Sequence, residues 1–157
     1  HKYMKEAPRK RDESIISKDM AIQIGWSGVW LVILSFLFLK LPVISHIFDN
    51  EAEHLTAYFV LFIFSALFNG FNVRDDRFGI FKRLNENPDF LKVFFIIMLV
   101  QIIIVNAALI PFPLFTWIGN MFSCIPFEAK GWIVTVLLSM TMIPVDCLRK
   151  LVFKCGK

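Results

Sequence analysis

The stretch MAIQIGWSGVWLVILSFLFL, Met20 to Leu39, runs for 20 residues without an Asp, Glu, Lys or Arg. A helix that crosses a bilayer needs about 20 mostly apolar residues, with about 17–25 tolerated, so this segment alone is a transmembrane candidate. It does not read as a signal peptide. It follows a mostly polar amino-terminal stretch, exceeds the apolar core of about 7–15 residues that such peptides carry, and has no small-residue cleavage site after it. Working outward, Leu55 to Val73 gives 19 uncharged residues and Val93 to Ile110 gives 18, ending at Pro111. Gly131 to Val145 gives only 15. At about 1.5 Å per residue it rises about 22 Å, short of a hydrocarbon core of about 30 Å. Outward snorkelling by Lys130 and Arg149 makes up the difference; a buried core helix is the other reading of this last segment. The expected fold is all-α, an integral membrane bundle of four transmembrane helices with short amphipathic loop helices. The spans fall at residues 20–39, 55–73, 93–110 and 131–148 of a transmembrane domain over 20–157, with residues 1–19 forming the loop that enters the first span.

The composition agrees. The 157 residues are 57% hydrophobic, 15% aromatic and 19% charged, with a mean hydropathy of +0.63, against about 45–50% apolar and about 25% charged in a soluble domain. Eighteen Phe are more than one small soluble core can hide. Disordered chains lack this apolar content, and three Cys are too few and too odd for a disulfide framework. A net charge of +4 and a pI of 9.1 suggest nucleic acid until the charges are placed. Fifteen of the 17 basic residues fall in the amino-terminal stretch, the loop between the second and third spans, and the tail. Only Lys40 and Lys130 fall in the other two loops. The positive-inside rule then puts both termini and the middle loop in the cytoplasm and explains the pI without a nucleic-acid partner. On that topology Cys124 is exoplasmic and Cys147 and Cys155 cytoplasmic, so all three read as free thiols.

The loops and spans offer few chemical groups. Asp49, Glu51 and Glu53 alternate in the exoplasmic loop, reading either as a divalent-cation site built from oxygen ligands or as a solvated acidic loop. His46 and His54 read as solvated. In the middle loop Phe78, Ile80, Phe81 and Leu84 interleave with Arg77, Lys82 and Arg83, which suits a short helix at the headgroup level. Polar side chains within spans usually face the bundle interior; here they are Gln23, Asn69, Asn72, Gln101, Asn106 and Asp146. Asn69 and Asn72 share one helical face and either offer carbonyl oxygens to a cation or bond neighbouring helices. Gln101 has the same two readings. Gly25 and Gly28 permit close helix approach on the first span, Pro144 predicts a kink near the exit of the fourth, and Asp146 reads as an interface residue. A Gly-rich phosphate loop, a Cys-x-x-Cys pair and a nucleophilic triad are all missing, so a small membrane-embedded enzyme has no catalytic residues to stand on.

Five motifs in order carry a resemblance. They are MKEAPRKRDESIISKDM (Met4 to Met20), LFNGFNVR (Leu67 to Arg74), NPDFL (Asn87 to Leu91) followed by QIIIV (Gln101 to Val105), FSCIP (Phe122 to Pro126) with Trp132 six residues on, and IPVDCLRK (Ile143 to Lys150). Together they resemble the carboxy-terminal transmembrane segment of a P-type calcium ATPase of the plasma-membrane type, its helices seven to ten. The resemblance implies a scaffold half of a calcium pump's membrane domain, working beside helices one to six and a phosphorylation domain. The parent protein is expected to use ATP, magnesium and transported calcium, with no cofactor held by this chain. The phosphorylated Asp and its Asp-Lys-Thr-Gly-Thr motif are absent. So are the helices four to six that carry the main ion ligands in the family, and His1 in place of an initiator Met reads as a fragment. The further acidic ligand that reticulum-type members carry on helix eight falls at Ala66 here. The resemblance therefore implies no metal ligands in this chain beyond the weak candidates Asn69, Asn72 and Gln101. Arg9, Lys10 and Arg11, in the loop that couples phosphorylation to helix movement in the family, are the expected domain-coupling residues. The competing reading is a free-standing four-helix membrane protein that binds or modulates a transporter.

Overall fold

The computed structural model describes residues 18–74 and 88–154. Arg9, Lys10, Arg11, the middle-loop residues Phe78, Ile80, Phe81 and Leu84, and Cys155 lie outside the described residues. All described elements are helical: α1 (Lys18–Lys40), α2 (Pro42–Ser45), α3 (Glu51–Arg74), α4 (Pro88–Asn106) with one 3-10 turn after it (Ala107–Leu109), α5 (Pro113–Phe122), α6 (Ala129–Met140) and α7 (Met142–Lys154). Among the described residues, four helical stretches are long and apolar enough to cross a membrane: Lys18–Lys40, Glu51–Val73, Pro88–Leu109 and Ala129–Phe153.

The helix ends follow local chemistry. The second span begins at Glu51, one turn before the expected Leu55, because Asn50 and Glu53 cap each other. The Glu53 N–H donates to Asn50 Oδ1 at 2.9 Å, Asn50 Nδ2 donates to Glu53 Oε1 at 3.0 Å, and the Asp49 N–H donates to Glu53 Oε2 at 3.2 Å. These bonds satisfy donors that a helix start otherwise leaves open. Pro88 opens α4 at a position where a missing N–H costs nothing. Pro42 cannot donate to the Phe38 carbonyl, so α1 stops at Lys40.

The fourth span bends earlier than Pro144 suggested. Pro144 deprives the Met140 carbonyl of its donor four residues on, and the helix breaks at Thr141, between α6 and α7. There the Thr141 N–H and hydroxyl both donate to the Leu138 carbonyl, at 3.1 and 2.6 Å. The snorkelling expected of Arg149 is also overturned, because its side chain is only 7% exposed and turned inward onto Asp146. Lys130, by contrast, is half-exposed and pairs with Glu128 at 3.0 Å.

Helix α3 is the hub, packing against α1, α4, α6 and α7; it is the most buried of the four spans. The interior holds Phe38, Val60, Leu61, Phe64 and Phe68 beside buried Gln23, Ser27, Asn72, Gln101, Thr135 and Ser139. The exterior is apolar, with Val29, Val32, Phe36, Phe95, Ile96 and Leu99 exposed. Polar groups inside and apolar groups outside invert the soluble pattern and match a protein in lipid, where polar side chains turn toward other helices. Gly25 and Gly28 do not serve the expected close approach within this bundle: a Cβ on either meets nothing within 4 Å. Gly131 does, since a Cβ there would stand 2.7 Å from the Phe48 ring and 2.9 Å from that of Phe127.

Candidate functional site

The polar residues singled out from sequence gather mainly where α1, α3 and α7 meet. Asn69 Oδ1 accepts from Ser27 Oγ at 3.1 Å and more weakly from Asn72 Nδ2 at 3.4 Å. Asn72, fully buried, also donates Nδ2 to the Met142 carbonyl at 2.8 Å. That carbonyl lies in the first turn after the Thr141 break. Two Trp of α1 reach the same stretch of α7: Trp26 Nε1 donates to the Val145 carbonyl at 3.0 Å and Trp30 Nε1 to Thr141 Oγ1 at 3.1 Å. These side chains tie α1 and α3 to Thr141 and to the first turns of α7, as polar groups in lipid bond across helices.

One turn further along α7 lies a buried charge cluster. Asp146 Oδ1 accepts from Arg149 Nε at 2.7 Å, and Asp146 Oδ2 lies 2.9 Å from Lys150 Nζ. All three side chains are 7% exposed or less. Spacings of three and four residues bring the groups onto one helix face. One carboxylate thus serves two basic side chains at this end of the bundle. Sequence reading took Asp146 as an interface residue and missed that Arg149 and Lys150 turn inward to it.

Gln101 does not join this seam. Phe94 of α4 packs against Phe68 and Phe71 of α3 at 5.7 and 4.8 Å between ring centres. Gln101 is two turns beyond Phe94, about 10 Å along the helix, and is buried at a different depth from Asn69 and Asn72. The weak cation candidates therefore do not converge. Asn106 turns back on its own helix, donating to the Ile102 carbonyl at 2.8 Å. Ala66, where a further acidic ligand would stand, is on an exposed stripe of α3 with Phe62 and Val73. That stripe offers no oxygen.

At the opposite end the acidic residues also disperse. Glu53 is engaged in capping α3, and Asp49 leans toward Lys130 at 4.0 Å. Among the described residues no three His, Cys, Asp or Glu side chains are grouped as a metal would need. His46 is exposed as expected, whereas His54 is not solvated. The His54 Nε2 sits 2.9 Å from the Phe38 carbonyl that Pro42 leaves open, and the ring stacks on Phe48 at 5.3 Å. Cys124 is buried beside the loop into α6, and burial pushes its thiol above the ordinary cysteine value.

A bundle of four spans with interior polar seams and an apolar exterior is an integral, multi-pass membrane protein. The chain matches the family model described as cation transporting ATPase, C-terminus, over residues 1–152, and it belongs to that family. It is 29% identical over 148 residues to calcium-transporting ATPase 2 of Schizosaccharomyces pombe, covering 92% of this chain and 11% of that protein. It is 29% identical over 150 residues to plasma membrane calcium-transporting ATPase 2 of Oreochromis mossambicus, covering 87% of this chain and 12% of that protein. It is 24% identical over 158 residues to the plasma membrane-type calcium-transporting ATPase 9 of Arabidopsis thaliana, covering 95% of this chain and 13% of that protein. The chain thus spans roughly an eighth of the length of the curated relatives it matches. No solved structure matches it. The family match does not favour a free-standing modulator.

Proposed function

We propose that this chain is the scaffold half of the membrane domain of a calcium-exporting P-type ATPase of the plasma-membrane type. Residues 1–19 enter the domain and residues 20–157 form it, with both termini in the cytoplasm. The observation that carries the reading is the family match over residues 1–152, on a bundle whose polar groups are engaged between helices. ATP and magnesium belong to a phosphorylation and nucleotide part outside this chain, and calcium is the transported substrate. Arg9, Lys10 and Arg11 form a basic run able to pair with carboxylates on that part. Neutralising all three is expected to slow ATP turnover of the full-length protein.

Ion stoichiometry follows from α3. Calcium takes about six to eight oxygen ligands, and a dication held without carboxylates in a low-dielectric site is very costly. Asn69 and Asn72 already bond Ser27 and the Met142 carbonyl, and Ala66 supplies nothing. The chain's role is then to hold the ion-binding helices while they move, with one calcium carried per ATP. The test is ATP-driven calcium uptake by vesicles holding the full-length protein, with cysteines placed at Ser45 or Asn120 to report sidedness. Uptake, with both positions labelled from the exoplasmic side, is the expected result. Failure to move calcium overturns the assignment, and labelling from the cytoplasmic side alone overturns the topology.

A further inference from the structure

No charged residue occurs between Val93 and Phe127, so the segment joining the third and fourth spans offers nothing that demands bulk water. Within it, α5 shows three distinct faces. Phe115, Ile118 and Gly119 turn toward the protein. Gly119 lies so close to the 3-10 turn that a Cβ there would stand 3.4 Å from the Ala108 nitrogen. Leu114, Trp117 and Met121, spaced as one helical stripe, point away from the protein and are 53%, 61% and 66% exposed. Beside them Thr116 and Asn120 form an exposed polar stripe. An open groove lined by Pro111, Phe112, Pro113, Thr116, Trp117 and Asn120 runs along the boundary of the two stripes.

The depth of α5 is fixed by its neighbours. Phe122, its last residue, stacks on Phe59 of α3 at 6.4 Å between ring centres. Phe59 is eight residues past Glu51, about 12 Å along the helix. The Ile125 N–H donates to Thr56 Oγ1 at 3.1 Å, still below the start of α3. Asp49, Glu51 and Glu53 must remain at the wet headgroup level, because carboxylates in hydrocarbon are costly. The Phe122 end of α5 therefore lies about 12 Å along α3 from that level, at the inner edge of the zone into which interfacial helices bury their apolar faces, about 5–10 Å.

We infer that α5 is an interfacial helix lying in the exoplasmic face of the bilayer, with Leu114, Trp117 and Met121 seated among phospholipid acyl chains and Thr116 and Asn120 turned to water. The occupant of the exposed apolar stripe is phospholipid. The absence of charge means that it needs no anionic headgroup. Packed through Gly119 on the 3-10 turn and through Phe122 on Phe59, the last turn of α5 ties α3 and the end of α4 to the membrane surface.

The test is tryptophan fluorescence of the full-length protein and its Trp117→Phe variant in phosphatidylcholine vesicles. Paired samples use the same lipid brominated at carbons 6 and 7 of one acyl chain. The difference between the two proteins isolates the Trp117 signal from all other tryptophans. That difference is expected to fall at least twofold in brominated lipid and to be insensitive to aqueous iodide. Leu114→Trp in the Trp117→Phe protein should repeat the result one turn earlier, whereas Thr116→Trp in the same protein should be quenched by iodide. A Trp117 signal unchanged by bromine but quenched by iodide would place the stripe in water and overturn the inference. A signal insensitive to both would place it under protein, whether a second copy or another segment, and overturn it equally.

Discussion

The two ends of this bundle are held by different chemistry. At the end carrying Ser27, Asn72 and Asp146, α1, α3 and α7 are joined by side-chain hydrogen bonds, beside a buried charge cluster within α7. At the other end, a run of stacked and tilted rings joins α1, α3 and α6. Phe38 contacts His54, His54 stacks on Phe48, Phe48 meets Phe127 edge-on at 5.7 Å, and Phe127 stacks on Trp132 at 4.8 Å. The polar end is directional and forms around a broken helix, so its bonds specify which turn of α7 faces which residue. The aromatic end depends on close packing around a position with no side chain, Gly131. In lipid, where apolar burial gives little drive for helices to associate, directional bonds set the arrangement and tight ring packing secures it.

The largest effect should come from splitting the charge cluster. Asp146→Leu leaves Arg149 and Lys150 buried without their carboxylate, and is expected to cost about 3–5 kcal/mol. A denaturation series in detergent would show it as a large fall in midpoint. Replacing Asp146, Arg149 and Lys150 together with apolar residues should recover most of the loss, because removing a whole buried charge group is often near neutral. If Asp146→Leu alone is silent, the cluster does not stabilise the polar end.

A smaller effect is expected at the aromatic end. Gly131→Ala forces a Cβ against the Phe48 and Phe127 rings and should cost about 1–3 kcal/mol, as overpacking does. Gly25→Ala and Gly28→Ala, which meet no neighbour, should stay within about 0.5 kcal/mol of the parent. Equal losses at Gly131 and Gly25 would mean that the two ends do not differ as described.

Much of this was readable from residues alone, and the failures share a cause. Spans were legible because runs without charge are long, and the family resemblance was legible because five motifs keep their order. Asn69 and Asn72 were legible as a polar face. Their partners were not, since spacing along α3 does not tell which backbone carbonyl of α7 lies opposite Asn72. His54 was misread as solvated because α3 was expected to begin one turn later. Asn50 and Glu53, three residues apart, carried the capping signal that would have corrected it. Arg149 was sent outward on the general habit of long basic side chains at span ends. Its spacing of three from Asp146, with Lys150 at four, was the sign that it turns inward. Helix α5 was not singled out, because the third span was read as ending at Pro111 and the stretch after it was taken as loop. Pro113, at the first position of α5, was the start signal.

The central claim is that the Asn69–Asn72 seam packs helices and does not bind the transported ion. It is tested most directly by measuring calcium affinity and thermal stability together in the full-length protein carrying Asn69→Ala or Asn72→Ala. Each variant should lose stability by about 1 kcal/mol, as interhelical bonds in lipid do, with Asn72→Ala the larger loss and calcium affinity changed by less than about threefold, a shift under about 0.7 kcal/mol. Two calcium ions bound per phosphorylated enzyme, or a loss of affinity on the order of a hundredfold, about 2.8 kcal/mol, with stability intact, would contradict the account.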